Sequence, residues 1–169
     1  MAIDEIKYRI IGIIHSPFKE PKGTPIQPTV AKGIEGKVVV FSEYVKALKD
    51  IEGFSHIILL YHFHLSRHFE LMVKPYMDNE KHGVFSTRAP NRPNPIGISV
   101  VRLTKVEDNI LHVKDIDILD GTPLLDIKPY VPEFDIKKVY KIGWLEKNIH
   151  KLPKSRDDGR FIKNIGKER

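Results

Sequence analysis

The segment formed by residues 88–97 is the part of the chain best suited to hold a ligand. It reads Arg-Ala-Pro-Asn-Arg-Pro-Asn-Pro-Ile-Gly, so two arginines and two asparagines lie among three prolines. Because each proline fixes φ and lacks an N–H, this segment is a stiff loop rather than a helix or a central strand. A stiff loop that presents Arg and Asn binds a ligand at little entropic cost. The alternative is a rigid cover over one end of a barrel, with its arginines paired to acids.

A second polar segment, residues 115–130, places four aspartates among apolar residues. Asp120, Gly121 and Thr122 form a turn whose backbone amides and hydroxyl can face a bound polar group. The neighbouring carboxylates suit a cationic or hydroxyl-rich ligand. An Asx turn with its acids facing solvent explains the same residues equally well, and the spacing matches no calcium-binding loop.

Four histidines, His56, His62, His64 and His68, form a third candidate group. On a strand, His62 and His64 would share a face, which permits metal ligation. No acidic residue lies nearby at a recognised zinc spacing, and the chain has no His-Glu-x-x-His motif. We therefore interpret His64 as a residue that lines a pocket, and we expect no bound metal.

The composition places these segments on a single folded domain. The chain has 169 residues, of which 41% are hydrophobic and 30% are charged, and this is typical of a soluble globular protein. The absence of cysteine excludes disulfides, thiol catalysis and iron–sulfur centres. Motifs for dinucleotide, phosphate-loop and serine-hydrolase sites are missing. Because the sequence shows no membrane-spanning run and no leader segment, we expect no membrane association and a cytoplasmic protein.

Seven apolar, β-branched stretches predict strands, which are separated by turn residues at spacings near ten residues. Repeated short strands with few helices favour a mainly β fold, namely a small β-barrel made of a single sheet with a few short helices. The longest apolar run predicts a buried central strand. Two short helices are predicted at 43–51, capped by Ser42, and around 136–145. The predicted strands cover residues 8–15, 37–41, 55–64, 83–86, 97–103, 110–114 and 124–128.

Positive charge is concentrated at the C-terminal end of the chain. Residues 137–169 hold eleven Lys or Arg against four Asp or Glu, a balance of +7 in a chain whose net charge is +6. Such an asymmetry indicates contact with a polyanion, most often nucleic acid. A lysine-rich face that is merely solvated has the same composition. Charge alone leaves both interpretations open.

Taken together, the motifs of the chain resemble those of the TsaA-like family, whose members include the TrmO tRNA methyltransferases. The resemblance extends from about residue 11 to residue 132. The motifs occur in the family's order and are long enough to be specific. They are GIIHSPF at 12–18, GFSHI at 53–57, GVFSTR at 83–88, RPNPIG at 92–97, DILDGTP at 117–123 and DIKPY at 126–130.

The resemblance implies a β-barrel that binds S-adenosylmethionine without a Rossmann fold and that is generally a homodimer. It implies methyl transfer to the exocyclic amine of a threonylcarbamoyl-modified adenosine next to the tRNA anticodon, so the anticodon loop of tRNA is the expected partner. It divides the chain into a TsaA-like barrel domain at 1–136 and a basic C-terminal segment at 137–169, packed on the barrel or extending from it. By the family pattern, the cofactor is held by Pro25, Ile26, Gln27, His64, Leu65, Arg88, Ile98, Asp117, Leu119, Asp120, Gly121 and Thr122.

Two of these residues depart from the pattern of the bacterial members. Ile26 stands where many of them have arginine, and Leu65 stands where they have glutamine. The basic C-terminal segment stands where the larger bacterial members carry a longer C-terminal domain. These departures concern the RNA substrate more than the cofactor.

Asn94, Asp120 and Arg92 are the candidate catalytic residues. Asn94, with the carbonyl beside Pro95, would accept hydrogen bonds from the adenine amine, and Asp120 would face the sulfonium cation of the cofactor. Arg88 would hold the amino-acid carboxylate of the cofactor. Phosphate contacts to tRNA are expected from Arg92 and from a lysine stripe. That stripe comprises Lys137, Lys138, Lys141, Lys147, Lys151 and Lys154.

A second interpretation comes from a different class of protein. The same barrel could be a non-catalytic regulatory module that binds S-adenosylmethionine or RNA without turnover. The two interpretations differ in whether Asn94 and Asp120 face a space that adjoins the bound methyl group.

Overall fold

The computed structural model describes residues 5–162 of the chain. Its strands are β1 (Gly12–His15), β2 (Glu35–Val40), β3 (His56–His62), β4 (Met72–Val73), β5 (His82–Gly83), β6 (Ile96–Glu107), β7 (Ile110–Lys114) and β8 (Thr122–Pro129). Six of them form a closed antiparallel barrel in the order β1-β2-β7-β6-β3-β8, while β4 and β5 form a separate two-stranded sheet. Closure leaves these six strands without a free sheet edge. The mainly β, single-sheet barrel predicted from the sequence is confirmed.

The barrel core is formed by the inward-facing residues of its strands, which occupy every second position. On β3, Ile57, Leu59 and Tyr61 point inward and are buried, whereas the residues between them are partly exposed. Inward residues of the other strands, such as Val101 and Leu124, pack into the same cluster. The buried central strand predicted at 55–64 is β3, which pairs with a strand on each side and whose alternate residues are buried.

The helical elements are short. They are α1 (Pro132–Asp135) and the 3₁₀ helices Pro28–Val30, Ser42–Leu48, Ile51–Gly53, Val84–Ser86, Gly143–Lys147 and Ile149–Lys154.

Three predictions of local structure need correction. The helix expected at 43–51 is a 3₁₀ helix that starts at Ser42 itself, and Asp50 interrupts it with a φ of 68°. Residues 84–86 form a 3₁₀ helix instead of a strand. Residues 136–142 are exposed and not helical, because no apolar face of this stretch is buried to stabilise a helix.

After α1 the chain returns to the loops at one end of the barrel. The Trp144 indole stacks on the His82 ring at 4.7 Å, and its Nε1 donates to the Ser86 carbonyl at 2.9 Å. Phe161 packs with Val73 and Val84 in a second, smaller apolar cluster. Part of the segment at 137–169 thus packs on these loops, while residues 163–169, like residues 1–4, lie outside the described residues. No helix within residues 5–162 is long and apolar enough to cross a membrane.

Candidate functional site

A cavity of about 510 Å³ opens at the end of the barrel where β1 and β3 finish and where β6 and β8 begin. Three connections and the C-terminal segment surround it. The antiparallel pairing places Ile14 of β1 opposite Thr122 of β8, and His62 of β3 opposite Ile96 of β6. The segments that follow or precede these residues therefore meet at one place, which brings together the three polar segments of the sequence.

All but two of the candidate site residues line this cavity. Residues separated by almost a hundred positions in the chain are brought together there. They are Pro25, Ile26, Gln27, His64, Leu65, Arg88, Arg92, Asn94, Ile98, Asp117, Leu119 and Thr122.

Asp120 and Gly121 are the two exceptions, and both have a structural task in the turn that precedes β8. The Asp120 carboxylate accepts hydrogen bonds from Lys19 Nζ at 2.7 Å and from the Ser16 backbone N–H at 3.1 Å. The Lys19 ammonium, followed by smaller contributions including the Ser16 amide, holds the pKa of this carboxyl below its usual range. Gly121 adopts a φ of 77°, and its N–H donates to the Ile14 carbonyl. Asp120 is therefore hydrogen-bonded to Lys19 and Ser16 and is not among the residues that line this cavity, so its contact with the cofactor stays a prediction.

The carboxylate that does line the cavity is that of Asp117. Ser99 Oγ donates to Asp117 Oδ1 at 2.6 Å, and the Tyr61 hydroxyl lies 3.1 Å from Ser99 Oγ, so a hydrogen-bonded chain runs from β3 through β6 to Asp117. Loss of hydration on burial raises the pKa of Asp117 to about 6, against the opposing effects of the Ser99 hydrogen bond and the Arg88 charge. Burial likewise raises the pKa of Tyr61.

Sequence reasoning missed Ser99 and Tyr61. The signal was present, because Ser99 is a polar residue at an inward position of β6, between the buried Gly97 and Val101. A buried polar side chain at such a position needs a hydrogen-bond partner.

The proline-rich loop is held in place by its own polar groups. Arg92 Nη1 donates to the carbonyls of Thr87 and Ala89 at 3.1 and 3.3 Å. The carbonyl of Asn94 accepts from the Ile96 N–H at 2.7 Å, and that of Pro95 accepts from the Phe63 N–H at 2.8 Å. Both carbonyls beside Pro95 are thus already engaged by the backbone. The side-chain amide of the exposed Asn94 is the group of this pair that a ligand can reach.

Arg88 and His64 occupy other parts of the lining. Arg88 Nη1 donates to Gln27 Oε1 at 2.8 Å, which links two segments assigned to the cofactor. His64 Nδ1 lies 3.4 Å from Thr122 Oγ1, and burial followed by the nearby His62 lowers the pKa of His64. Among residues 5–162, no cluster of three or more His, Cys, Asp or Glu has the arrangement of a metal site.

The C-terminal segment supplies one wall of the cavity, a contribution that the sequence did not reveal. Asp157 and Phe161 line the cavity together with Tyr76. Asp157 is anchored to the loop before Pro25, since its N–H donates to the Thr24 carbonyl at 2.9 Å. Burial raises the pKa of both Asp157 and Tyr76, whose side chains interact. Phe161 packs edge-on against Tyr76 with ring centroids 5.2 Å apart.

The lysines of the expected stripe are all exposed, but they are not equivalent. Lys151 Nζ donates to the Met77 carbonyl at 3.0 Å and to Asn148 Oδ1 at 2.5 Å, so its ammonium also fastens the C-terminal segment. Lys147 and Lys154 lie on the two 3₁₀ helices of that segment.

The fold and the cavity together define a class of protein. The closed antiparallel barrel has a concave, partly apolar site at one end, and this site also holds a carboxylate and an arginine. Such a barrel is suited to a small-molecule ligand. The chain belongs to the family described as the tRNA-methyltransferase O N-terminal domain, whose model matches residues 13–136. This confirms the resemblance identified from the motifs. The C-terminal wall of the cavity lies beyond the matched residues.

Individual relatives agree with this family. The chain is 70% identical over 157 residues to a "Probable S-adenosyl-L-methionine-binding protein" of Pyrococcus abyssi, covering 93% of this chain and 85% of that protein. It is 37% identical over 140 residues to the tRNA (adenine(37)-N6)-methyltransferase of Escherichia coli, covering 77% of this chain and 60% of that protein. A crystal structure of TrmO from Pseudomonas aeruginosa matches with a TM-score of 0.69 and 39% identity, over 83% of this chain and 62% of that chain.

Proposed function

We propose that this protein is an S-adenosylmethionine-dependent methyltransferase that acts on the exocyclic amine of the adenosine next to the tRNA anticodon. One observation carries the proposal: residues assigned to the cofactor from separate motifs, between Pro25 and Thr122, surround a single cavity. Family membership and the similarity to the Escherichia coli enzyme support the type of reaction.

The lining of the cavity fits this cofactor. Its volume of about 510 Å³ falls within the range of small-molecule sites, roughly 300–1,000 Å³. Arg88 is a cationic donor for the amino-acid carboxylate, and Asp117 is an acceptor for a cationic or hydroxyl group. Ile98 and Leu119 offer apolar contact to an adenine ring. The cofactor, when bound, supplies an electrophilic methyl group attached to sulfur.

The residues of the chain then act mainly by positioning the acceptor. Transfer requires the attacking nitrogen, the methyl carbon and the sulfur to lie nearly in line, so fixed orientation accounts for much of the rate. The exocyclic amine is a weak nucleophile. The side-chain amide oxygen of Asn94 accepts a hydrogen bond from this amine, which raises electron density on the nitrogen. As the bond between nitrogen and the methyl carbon formed, the bond between that carbon and sulfur would break, which would release S-adenosylhomocysteine and pass the amine proton to solvent.

Four finer features belong to the same proposal. The acceptor carries the threonylcarbamoyl group, whose carboxylate suits the guanidinium of Arg92 at the cavity. The protein acts as a homodimer, which would cover exposed apolar side chains such as Phe134 and Val139. The protein works in the cytoplasm. Residues 1–136 form its catalytic barrel, and residues 137–169 contact RNA.

A second function is favoured by a different observation. Two archaeal relatives, at 70% and 43% identity, are named for binding S-adenosylmethionine and not for a reaction. A module that binds the cofactor and regulates without turnover would use the same cavity.

Mass spectrometry of nucleosides separates these two functions. The purified protein is incubated with S-adenosylmethionine and total tRNA, and the tRNA is digested and its nucleosides are weighed. The enzyme adds one methyl group to threonylcarbamoyl-adenosine. If the cofactor binds in equilibrium dialysis but no nucleoside gains mass, the methyltransferase function is rejected in favour of the regulatory module.

A further inference from the structure

A second cavity of about 490 Å³ lies beside the first, between the C-terminal segment and the loops around β4 and β5. Only three of the residues assigned to the cofactor line it, namely Ile26, Gln27 and Arg88. Asp117 and Thr122 line the first cavity alone. The cofactor assignment therefore places the cofactor in the first cavity and leaves the second for another ligand.

The two cavities have lining residues in common, including Tyr76, Phe85, Arg88 and Phe161, so they adjoin one another. A ligand in the second cavity would therefore lie next to the cofactor. Methyl transfer demands this proximity, since the acceptor nitrogen must reach the methyl carbon directly.

The lining of the second cavity suits a flat aromatic ring. Trp144 and Phe85 both line it, and Phe85 is 77% exposed, so its ring face is available for stacking. A nucleobase that leaves a single-stranded loop is commonly held by such aromatic side chains. The rim carries the matching charge for RNA, because Lys147 and Lys154 lie on the 3₁₀ helices whose Leu145 and Leu152 line the cavity.

We propose that the second cavity, lined by Trp144 and Phe85, is the subsite for the acceptor nucleobase, whose exocyclic amine reaches into the first cavity, where Asn94 lies. This inference rests on the proposed function, because it assigns a place to the acceptor of that reaction. It also gives a task to residues 143–154, which lie beyond the part of the chain matched by the family.

The chain has a built-in reporter for this subsite, because Trp144 is its single tryptophan and lines the second cavity but not the first. The protein is saturated with S-adenosylhomocysteine, to fill the cofactor site, and is then titrated with adenosine while tryptophan emission is excited at a wavelength that tyrosine does not absorb. We expect a saturable change in emission. Adenosine that binds in equilibrium dialysis without changing the emission, or only by displacing S-adenosylhomocysteine, overturns the subsite.

A cavity-filling variant tests the same subsite independently. Thr29 is exposed and lines only the second cavity, so Thr29→Tyr narrows it while leaving the first intact. We expect adenosine affinity to fall about tenfold or more, as for loss of a stacked base, with S-adenosylhomocysteine affinity unchanged. Ser42→Tyr, at another exposed 3₁₀ position outside both cavities, is the matched control. Equal adenosine affinity in the two variants contradicts the proposal.

A separate measurement, of nucleoside masses in total tRNA, tests the proposed function. If adenosine changes Trp144 emission but no nucleoside is methylated, the subsite stands and the methyltransferase fails. If tRNA is methylated at equal rates by wild type and Thr29→Tyr, the methyltransferase stands and the subsite fails.

Discussion

The barrel and the loops at its cavity end are stabilised in different ways. The barrel strands bury alternating apolar side chains such as Ile57 and Leu59, and their backbone groups pair with neighbouring strands. The cavity loops instead depend on polar side chains that bond to distant backbone, as Asn91 does with the Phe161 carbonyl. This difference shows that stability and ligand binding depend largely on separate residues. A substitution that impairs one of these properties should therefore have a limited effect on the other.

The largest expected effect is on the stability of the barrel. Leu59→Ala removes a completely buried side chain from the core and is expected to lower the free energy of unfolding by about 2–5 kcal/mol. Urea denaturation measures this loss, and equilibrium dialysis should show unchanged cofactor affinity under conditions where the variant is folded. Leu60→Ala, on the outer face of the same strand, is the control and should cost much less. Equal losses for the two variants would refute the alternation of β3.

The next expected effect is on turnover, with stability unchanged. Asn94→Ala removes the amide proposed to accept a hydrogen bond from the adenine amine, and we expect kcat to fall by about a hundredfold with unchanged cofactor affinity and unchanged unfolding. Methyl incorporation into total tRNA measures kcat. The exposed Asn79, at a turn outside both cavities, supplies the control Asn79→Ala. A variant at position 94 with normal turnover would remove Asn94 from the mechanism.

A variant at the junction of the two regions should affect both properties. The Asn91 side chain is 1% exposed, donates to the Phe161 carbonyl at 3.1 Å and accepts from Ser66 Oγ at 3.0 Å. Asn91→Ala leaves these buried groups without their partner, which we expect to cost about 1–3 kcal/mol of stability. Because Phe161 lines both cavities, ligand affinity should also fall. Intact affinity with reduced stability would show that the C-terminal wall does not contribute to binding.

The sequence predicted the barrel well because short apolar, β-branched stretches recur at spacings near ten residues and few helices lie between them. It located most of the cavity through motifs that resemble a family. It did not reveal the partner of Asp120, because Lys19 lies 101 residues away and no spacing indicates the pair. Phe161 was missed for the same reason, since its packing against Val73 and Val84 depends on how the chain returns.

The pH dependence of cofactor binding should sharpen the comparison within the cavity. Burial raises the pKa of Asp117 to about 6, so the carboxyl is neutral below this pH and cannot attract a cation. Affinity for S-adenosylmethionine should therefore rise as the pH increases from 5 to 7, by up to about tenfold per pH unit below the pKa. The raised pKa has the opposite effect on folding stability. Because the folded state holds the Asp117 proton more tightly than the unfolded chain does, the free energy of unfolding falls as the pH rises from the pKa of Asp117 in the unfolded chain towards 6. Asp117→Asn should flatten the binding profile measured by dialysis, and a profile that keeps its slope in this variant would assign the titration to another group.

The smallest effect separates lysines near the cavities from lysines on the barrel. Lys147 and Lys154 lie on the 3₁₀ helices whose Leu145 and Leu152 line the second cavity, whereas Lys46 lies on the 3₁₀ helix Ser42–Leu48 and Lys49 follows it. If the first pair contacts phosphates, replacing both with alanine should reduce the slope of log affinity for tRNA against log salt by about 0.7–0.9 per lost contact. The double replacement of Lys46 and Lys49 with alanine changes the net charge by the same amount, so it controls for long-range electrostatic attraction between the protein and RNA. Filter binding at several salt concentrations measures both slopes, and identical slopes for the two double variants would mean that RNA approaches the protein without engaging the C-terminal segment. A difference confined to the first pair would instead place the RNA backbone at the rim of the cavity, within reach of the aromatic side chains that line it.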